Sequence, residues 1–112
     1  MKSTKEVIEH HLQAIGEGID SVLSDFDDNS CIIGQQGTYR GIDEIKAFFI
    51  AFINGLPEGF KDAFKVTKMV AEGEVGYIIV EANPWIPFGT DTFVIKDGKI
   101  KYQTFSAYMP GS

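Results

Sequence analysis

The fold is decided by residues 88–108, FGTDTFVIKDGKIKYQTFSAY, which have the pattern of two β-strands joined by a tight turn. Apolar and polar residues alternate over 88–96 and again over 99–108, and the pair Asp97-Gly98 between them is a strong hairpin signal. A two-residue turn places Asp91 opposite Thr104, whereas a three-residue bulged turn places it opposite Gln103. In the second case Phe105 also faces the pocket expected between the helices and the sheet. The residues alone leave both registers open.

The same two-residue period begins further upstream. Residues 60–71 and 75–83 are predicted as strands, joined by a turn at 72–74. Residues 83–87 contain two prolines around Trp85, and proline cannot donate to a strand ladder, so a loop is expected there. The second half of the chain therefore predicts a four-stranded antiparallel meander.

The first half of the chain has helical spacing. Ser3 and Glu6 form a capping-box pattern before a helix over residues 4–15, and a short helix follows over 19–26. A third helix, capped by Asp43 and ending near Leu56, is apolar around most of its circumference and is expected to be largely buried. Residues 31–33 predict a brief strand, and 35–41 a turn-rich connection. The fold class is α+β, with three N-terminal helices packed on one sheet face.

Composition excludes several classes of protein. The 112 residues carry 10 Lys+Arg against 16 Asp+Glu, a net charge of −6, so a nucleic-acid partner is not expected. Cys31 is the one cysteine, which excludes an internal disulfide, and no metal-ligand spacing or cofactor fingerprint occurs, so we expect no metal and no cofactor. We expect no leader and no membrane-spanning stretch, and the sequence predicts a single cytoplasmic domain over 1–112 without membrane contact.

Asp91 is the most informative candidate for chemistry. It shares a predicted strand face with Phe93 and Ile95, and burial on that face would raise the pKa of its carboxyl. The alternative is a structural aspartate bonded to a loop amide. His11 lies on the apolar face of the first helix and is its candidate partner, although a buried histidine is more often structural. His10 is expected to turn away from that face.

Several other residues are candidates for a ligand pocket. Trp85 and Tyr39 lie on predicted loops, where aromatic side chains either contact ligands or pack at an edge. The strand over 75–83 is apolar on both faces, since Tyr77 and Ile79 alternate with Ile78 and Val80. A second copy of the chain would cover the outer face, which predicts a homodimer, unless the curled sheet partly covers itself. Asp25, Asp27 and Asp28 are interpreted as a solvated turn.

The order of elements resembles the nuclear transport factor 2-like superfamily, especially its SnoaL-like and ketosteroid isomerase-like members. The matching pieces are the acidic turn Asp27-Asp28, the turn over 37–41 that leads into 42–49, and DTFVIKDGKI over 91–100. The resemblance implies a cone-shaped α+β roll of the cystatin-like type, with a curved, mainly antiparallel sheet around an apolar pocket, often as dimers. It also favours the bulged hairpin.

The resemblance implies a role for Asp91 by position. In the isomerases a carboxylic acid at this place, kept neutral by apolar surroundings, donates to the developing enolate oxygen. The first-strand carboxylate base falls near Ile33 here, and the tyrosine of the first helix has no tyrosine counterpart, so this chain departs from steroid isomerisation.

The sequence therefore leaves two functions open. The first is a pocket for a small apolar or amphipathic molecule, with isomerase or cyclase chemistry in which Asp91 is the acid/base or oxyanion donor and His11 its partner. The second is a non-catalytic ligand-binding or dimerisation module. The residues expected to contact the ligand are Ile33, Tyr39, Phe49, Phe52, Trp85, Phe93, Gln103 and Phe105.

Overall fold

A computed structural model describes residues 2–111, in which four helices pack against one six-stranded sheet. The elements are α1 Thr4–Ala14, α2 Ile19–Leu23, β1 Cys31–Gly34, β2 Gly37–Arg40, α3 Gly41–Asn54, α4 Phe60–Ala63, β3 Phe64–Glu72, β4 Val75–Ala82, β5 Ile86–Lys96 and β6 Lys99–Tyr108. Among residues 2–111, no helix is both long and apolar enough to cross a membrane.

The sheet has the strand order β2-β1-β6-β5-β4-β3. Strands β3 to β6 form the predicted antiparallel meander, and β1 pairs with β6 in parallel, with Ile32 opposite Gln103. The α+β class with helices on a curved sheet is confirmed. Strand β2 was not expected, because residues 35–41 were predicted to be a turn. It pairs with β1, which places Tyr39 opposite Ile32.

The β5–β6 hairpin has a register that neither expectation anticipated. Asp97 and Gly98 both have positive φ, 53° and 74°, as a two-residue hairpin turn requires. One extra residue, Lys101, then shifts the pairing, so that Asp91 lies opposite Phe105 rather than Thr104 or Gln103. Because the bulge also reverses the alternation of faces, Gln103 is buried and Tyr102 is exposed. The bulge thereby places Gln103 on the same face as Asp91.

Helix α1 crosses the concave face of the sheet. The Ser3 and Glu6 side chains and backbones form the predicted capping box, and Val7 and Ile8 are completely buried. The helix passes so close to β4 that a methyl group on Gly76 would overlap Cδ1 of Ile8. A glycine in the strand therefore sets the distance between helix and sheet.

Gly76→Ala is expected to lower the free energy of unfolding by about 1–3 kcal/mol, because the added methyl would overlap Cδ1 of Ile8, a side chain that is completely buried. Urea denaturation measures the change. Gly34→Ala is the matched control in a strand, since a methyl group there meets only backbone atoms at 3.9 Å. Equal stabilities of the two variants would contradict this packing.

Helix α3 differs from its prediction in two respects. Its N-cap is Arg40 rather than Asp43, and no side chain caps it, although Glu44 accepts a hydrogen bond from the Arg40 amide. The prediction that the helix is largely buried is wrong. Only Ile45 and Phe49 are buried, and Ile50 is 40% exposed, because the helix contacts the rest of the chain along one stripe.

The connection after α3 was also predicted wrongly. Residues 60–71 were expected to form one strand, but Phe60–Ala63 is a helical turn and the strand begins at Phe64. The turn starts at Gly59, whose φ of 85° breaks the extended backbone. Phe60 and Phe64 therefore lie on the same side of the chain. At the next loop, β5 begins at Ile86, inside the predicted loop of residues 83–87.

The acidic segment before β1 is only partly solvated. Asp27 and Asp28 are exposed, but Asp25 is 1% exposed, so its interpretation as a solvated residue is wrong. His10 Nδ1 lies 2.7 Å from Asp25 Oδ2, and the Ile100 amide donates to the Asp25 backbone oxygen. The Asp25 carboxylate is therefore bound to α1, and its backbone is bound to β6.

Candidate functional site

A small cavity lies between the helices and the concave face of the sheet, with a volume of about 70 Å³. Its polar lining comes from three residues on three elements: His11 on α1, Asp91 on β5 and Gln103 on β6. The rest of its lining is apolar, from Leu12, Ile15, Ile32, Phe48, Phe49, Phe52, Phe60, Phe64, Ile78, Val80, Ile86 and Phe105. The site is therefore an apolar cavity with one cluster of polar side chains, which we call its polar end.

The three polar side chains are linked through Gln103. Its Nε2 donates to Asp91 Oδ2 at 2.9 Å and lies 3.4 Å from His11 Nε2. If His11 accepts from the amide, its proton is on Nδ1, and no described residue is within hydrogen-bond reach of that atom. Gln103 Oε1 is likewise buried without a described partner. The polar end therefore holds hydrogen-bonding capacity that the described residues do not use.

Burial shifts both titratable groups of the site toward their neutral forms. Desolvation raises the pKa of Asp91 to about 7, although the hydrogen bond from Gln103 opposes this rise. Desolvation, with a smaller effect from the charge of His10, lowers the pKa of His11 to about 4. Near neutral pH, His11 is therefore uncharged and Asp91 is close to its titration midpoint.

His11 is held by an aromatic cage. Its ring lies edge-on to Phe26, Phe49 and Phe93, with centroid distances of 5.8, 5.7 and 5.6 Å. These edge-to-face contacts fix the plane of the imidazole. The cage also excludes water from one side of the ring, which is why burial disfavours its charged form.

The chemistry available at the polar end is proton exchange and hydrogen bonding. A carboxyl with a pKa near 7 can give or take a proton at neutral pH. The neutral imidazole lacks charge but can polarise a bound group. The remaining lining offers no acid or base, so Asp91 would have to perform both halves of any proton transfer.

The structure brings together most of the residues expected at the site. Phe49, Phe52, Gln103 and Phe105 line the cavity beside Asp91 and His11. Phe93 is not in the lining and instead supports His11 from behind.

Three expected contacts lie elsewhere. Ile33 is 44% exposed, and Ile32 faces the cavity in its place. Tyr39 packs on Phe48 at a ring distance of 4.7 Å. Trp85 lines a separate surface groove.

The main part of the site that the sequence did not indicate is the entrance side. A second hollow of about 240 Å³ shares Leu12, Ile15, Phe52, Phe60 and Phe64 with the inner cavity. The i, i+4 spacing of Phe60 and Phe64 after Pro57 was the available signal for a helical turn there. The inner cavity is thus bordered by a larger apolar hollow, in whose lining Lys61 is the charged residue.

Comparison with known proteins supports the fold. No protein-family model and no curated protein sequence match the chain. Among solved structures, it resembles a SnoaL-like protein of unknown function from Burkholderia thailandensis, with 13% identity, TM-score 0.75 and coverage of 94% of both chains.

Two further solved structures have a similar fold. One is a nuclear transport factor 2-like protein of unknown function from Cytophaga hutchinsonii, with 16% identity and TM-score 0.71, covering 96% of this chain and 92% of that one. The other, from Nostoc punctiforme, has a cystatin-like fold, with 15% identity and TM-score 0.66, covering 97% and 90%. The chain therefore has the nuclear transport factor 2-like fold that its sequence resemblance implied.

Proposed function

We propose that the protein binds a small, mostly apolar molecule whose single polar group reaches Asp91. The observation that carries this proposal is a carboxyl only 7% exposed in the lining of an apolar cavity, beside two further buried polar side chains. Burying such a carboxyl costs free energy unless hydrogen bonds or charge pairs compensate for its lost hydration. Apolar chambers with a few convergent polar groups are the usual form of small-molecule sites.

The cavity dimensions constrain how the ligand would lie. A dry cavity of roughly 150 Å³ can hold a molecule the size of benzene. The inner cavity, at about 70 Å³, accommodates the polar group and the atoms next to it, and the adjoining hollow of about 240 Å³ receives the apolar body. The proposed ligand enters past Phe52 and Phe60, which border both spaces.

The reaction class that fits this site is a proton shift, as in an isomerisation or cyclisation. Asp91 would donate its proton to an oxygen of the ligand, or take one from an adjacent carbon, and return it in the next step. His11, neutral and fixed by its aromatic cage, would assist by hydrogen bonding. This enzymatic function rests on one titrating carboxyl.

A non-catalytic binding module is the second candidate, and a specific observation favours it. The residue of β1 that faces the cavity is Ile32, so the described lining contains no carboxylate besides Asp91. Without a second acid or base, bound molecules would be held but not converted.

The test is a thermal-shift screen of small apolar alcohols, ketones and acids, followed by product analysis with each compound that binds. Binding with conversion that Asp91→Asn abolishes supports the enzyme, because an amide keeps the shape but cannot carry a labile proton. Binding without conversion supports the module. If no compound raises the melting temperature, the pocket proposal fails.

The outer face of the sheet supports a homodimer. Large apolar side chains are exposed there, and such patches mark interaction surfaces. They include Ile33, Val75, Tyr102 and, beyond them, Phe88 and Tyr108. A two-fold symmetric pairing of this face would cover them, which makes a second copy of the chain the proposed partner.

Light scattering at micromolar concentration is expected to give the mass of a dimer for the wild type and of a monomer for Tyr102→Lys. Asn54→Lys, which adds the same charge to an exposed position of α3, is the control and should remain dimeric. A monomeric wild type would exclude this interface.

A further inference from the structure

Gln103 lines the cavity and carries a buried hydrogen-bond acceptor that nothing in the described chain uses. The side chain is 5% exposed and lines the cavity. One hydrogen of its Nε2 goes to Asp91 Oδ2, and the other faces His11 Nε2. Both donor hydrogens are therefore directed at protein atoms, while Oε1 is buried without a partner. A buried acceptor left unpaired is costly, which makes it a position that a ligand donor would satisfy.

Asp91 offers the complementary group at the same place. Its Oδ2 is occupied by Gln103, and no hydrogen bond within residues 2–111 involves Oδ1. In the protonated acid, Oδ1 can therefore donate into the cavity. The bulge at Lys101 has put Gln103 opposite Phe93, two positions along β5 from Asp91 and on the same face. Asp91 and Gln103 thus contribute a donor and an acceptor to the lining of one cavity.

We propose that Gln103 is the specificity-determining residue of the pocket and selects ligands whose polar group is a hydroxyl, in preference to ketones or ethers of the same shape. This inference rests on the proposed function. The hydroxyl oxygen accepts from Asp91 Oδ1 and its hydrogen is donated to Gln103 Oε1, so one ligand group satisfies both. A ketone oxygen can accept from Asp91 but leaves Gln103 Oε1 unpaired.

The preference does not depend on the charge of Asp91. When Asp91 is ionised, it and Gln103 Oε1 are both acceptors, and a hydroxyl can still donate to either one whereas a ketone can donate to neither. His11 is the other titratable side chain in the described lining, and its pKa is lowered to about 4, so it stays neutral through the pH range of the test. A reversed Gln103 amide would instead present its NH₂ group and favour the ketone.

The experiment is an NMR titration of the full chain at about pH 6 and pH 8 with cyclohexanol, cyclohexanone and methylcyclohexane. These probes share one ring and differ in the polar group. We expect cyclohexanol to bind about five-fold or more tightly than cyclohexanone at both pH values, since an unpaired buried acceptor costs at least that factor.

Gln103→Met has a similar length and no hydrogen-bonding amide. At about pH 6, where Asp91 is mostly protonated, it is expected to reduce the alcohol preference to less than about three-fold while methylcyclohexane binding persists. Thr104→Val is the matched control, because Thr104 is the next residue of β6 and lies opposite Thr92, outside the cavity lining. It should keep the full preference.

If Gln103→Met does not fold, the wild type still decides the matter. Nuclear Overhauser contacts between the carbinol proton of cyclohexanol and the Gln103 side-chain amide are expected, and their absence in a bound complex overturns the inference. Equal binding of alcohol and ketone, or a preference for the ketone, also overturns it but leaves the pocket intact. If none of the three probes binds, the proposed function fails as well.

Discussion

Asp91→Asn is expected to make the protein more stable than the wild type at about pH 8, and about equally stable below pH 4. The folded-state pKa of Asp91 is raised to about 7, against an ordinary value of 3.8. A group raised in this way stabilises the fold fully below its unfolded pKa, and that contribution is lost as pH rises through the folded pKa. The wild type therefore loses stability from about pH 4 to pH 7 through this one carboxyl.

The size of the effect follows from the shift. Converting a pKa difference of this size at 1.36 kcal/mol per unit gives a loss of up to about 4 kcal/mol above pH 7. Asparagine has the same shape, stays neutral at all these pH values and can still accept from Gln103 Nε2 through its carbonyl oxygen. The variant thus keeps the packing and the hydrogen bond but avoids the cost of charging a buried group.

Urea denaturation of wild type and variant between pH 4 and pH 8 measures this difference. Asp62→Asn, which removes the same charge from an exposed position on α4, is the control and should run parallel to the wild type. A carboxyl resonance of Asp91 that titrates near 3.8, or a variant less stable than the wild type at pH 8, would show that Asp91 is a structural carboxylate. The proposed catalytic role of Asp91 would then be wrong.

The meander was predictable because its signal is local. The period of two residues and the Asp97-Gly98 turn locate β6 at its observed bounds, and the same period puts Asp91 on an inward face. The bulge was not predictable. Around Lys101 the apolar and polar residues of KIKYQT fit a strand with or without a bulge. The register is therefore decided by pairing with the strands on both sides of β6, which are β1 and β5. Without the bulge, Gln103 would face outward.

The remaining parts of the site depend on contacts between distant segments. Ile32 and Ile33 are both apolar in a four-residue strand, so periodicity cannot tell which one faces the cavity; the parallel pairing with β6 decides it. Phe60 and Phe64 fit a strand pattern as well as a helical turn. His11 was located correctly on the inner face of α1 because eleven residues of helical spacing define a face.

His11→Leu is expected to behave in the opposite way to Asp91→Asn. The pKa of His11 is lowered to about 4 from an ordinary 6.5, so the unfolded chain binds more protons than the folded one between these values. Stability from this group is fully present above about pH 6.5 and is lost as pH falls through about 4. Leucine cannot be protonated and should be more stable than the wild type near pH 4, by about 3 kcal/mol.

Near pH 7 the same variant should differ from the wild type by no more than about 1 kcal/mol. Leucine fills a similar volume among the three phenylalanines, and it removes a buried Nδ1 that has no described partner. Gln103 keeps its hydrogen bond to Asp91, but its second Nε2 hydrogen loses the 3.4 Å contact with His11 Nε2, which offsets the gain from removing Nδ1. A large loss of stability at pH 7 would instead mean that the imidazole makes a contact essential to the core.

The double variant, His11→Leu with Asp91→Asn, separates the two groups from the rest of the chain. In the wild type the two contributions have opposite slopes over overlapping ranges, about 4 to 7 for Asp91 and about 4 to 6.5 for His11, and they largely cancel. Each single variant should therefore uncover a pH dependence that the wild type hides, and the double variant should be nearly flat again. If the single variants show no opposite slopes, the two groups are not neutral together in the cavity, and the proposed proton exchange at Asp91 loses its physical basis.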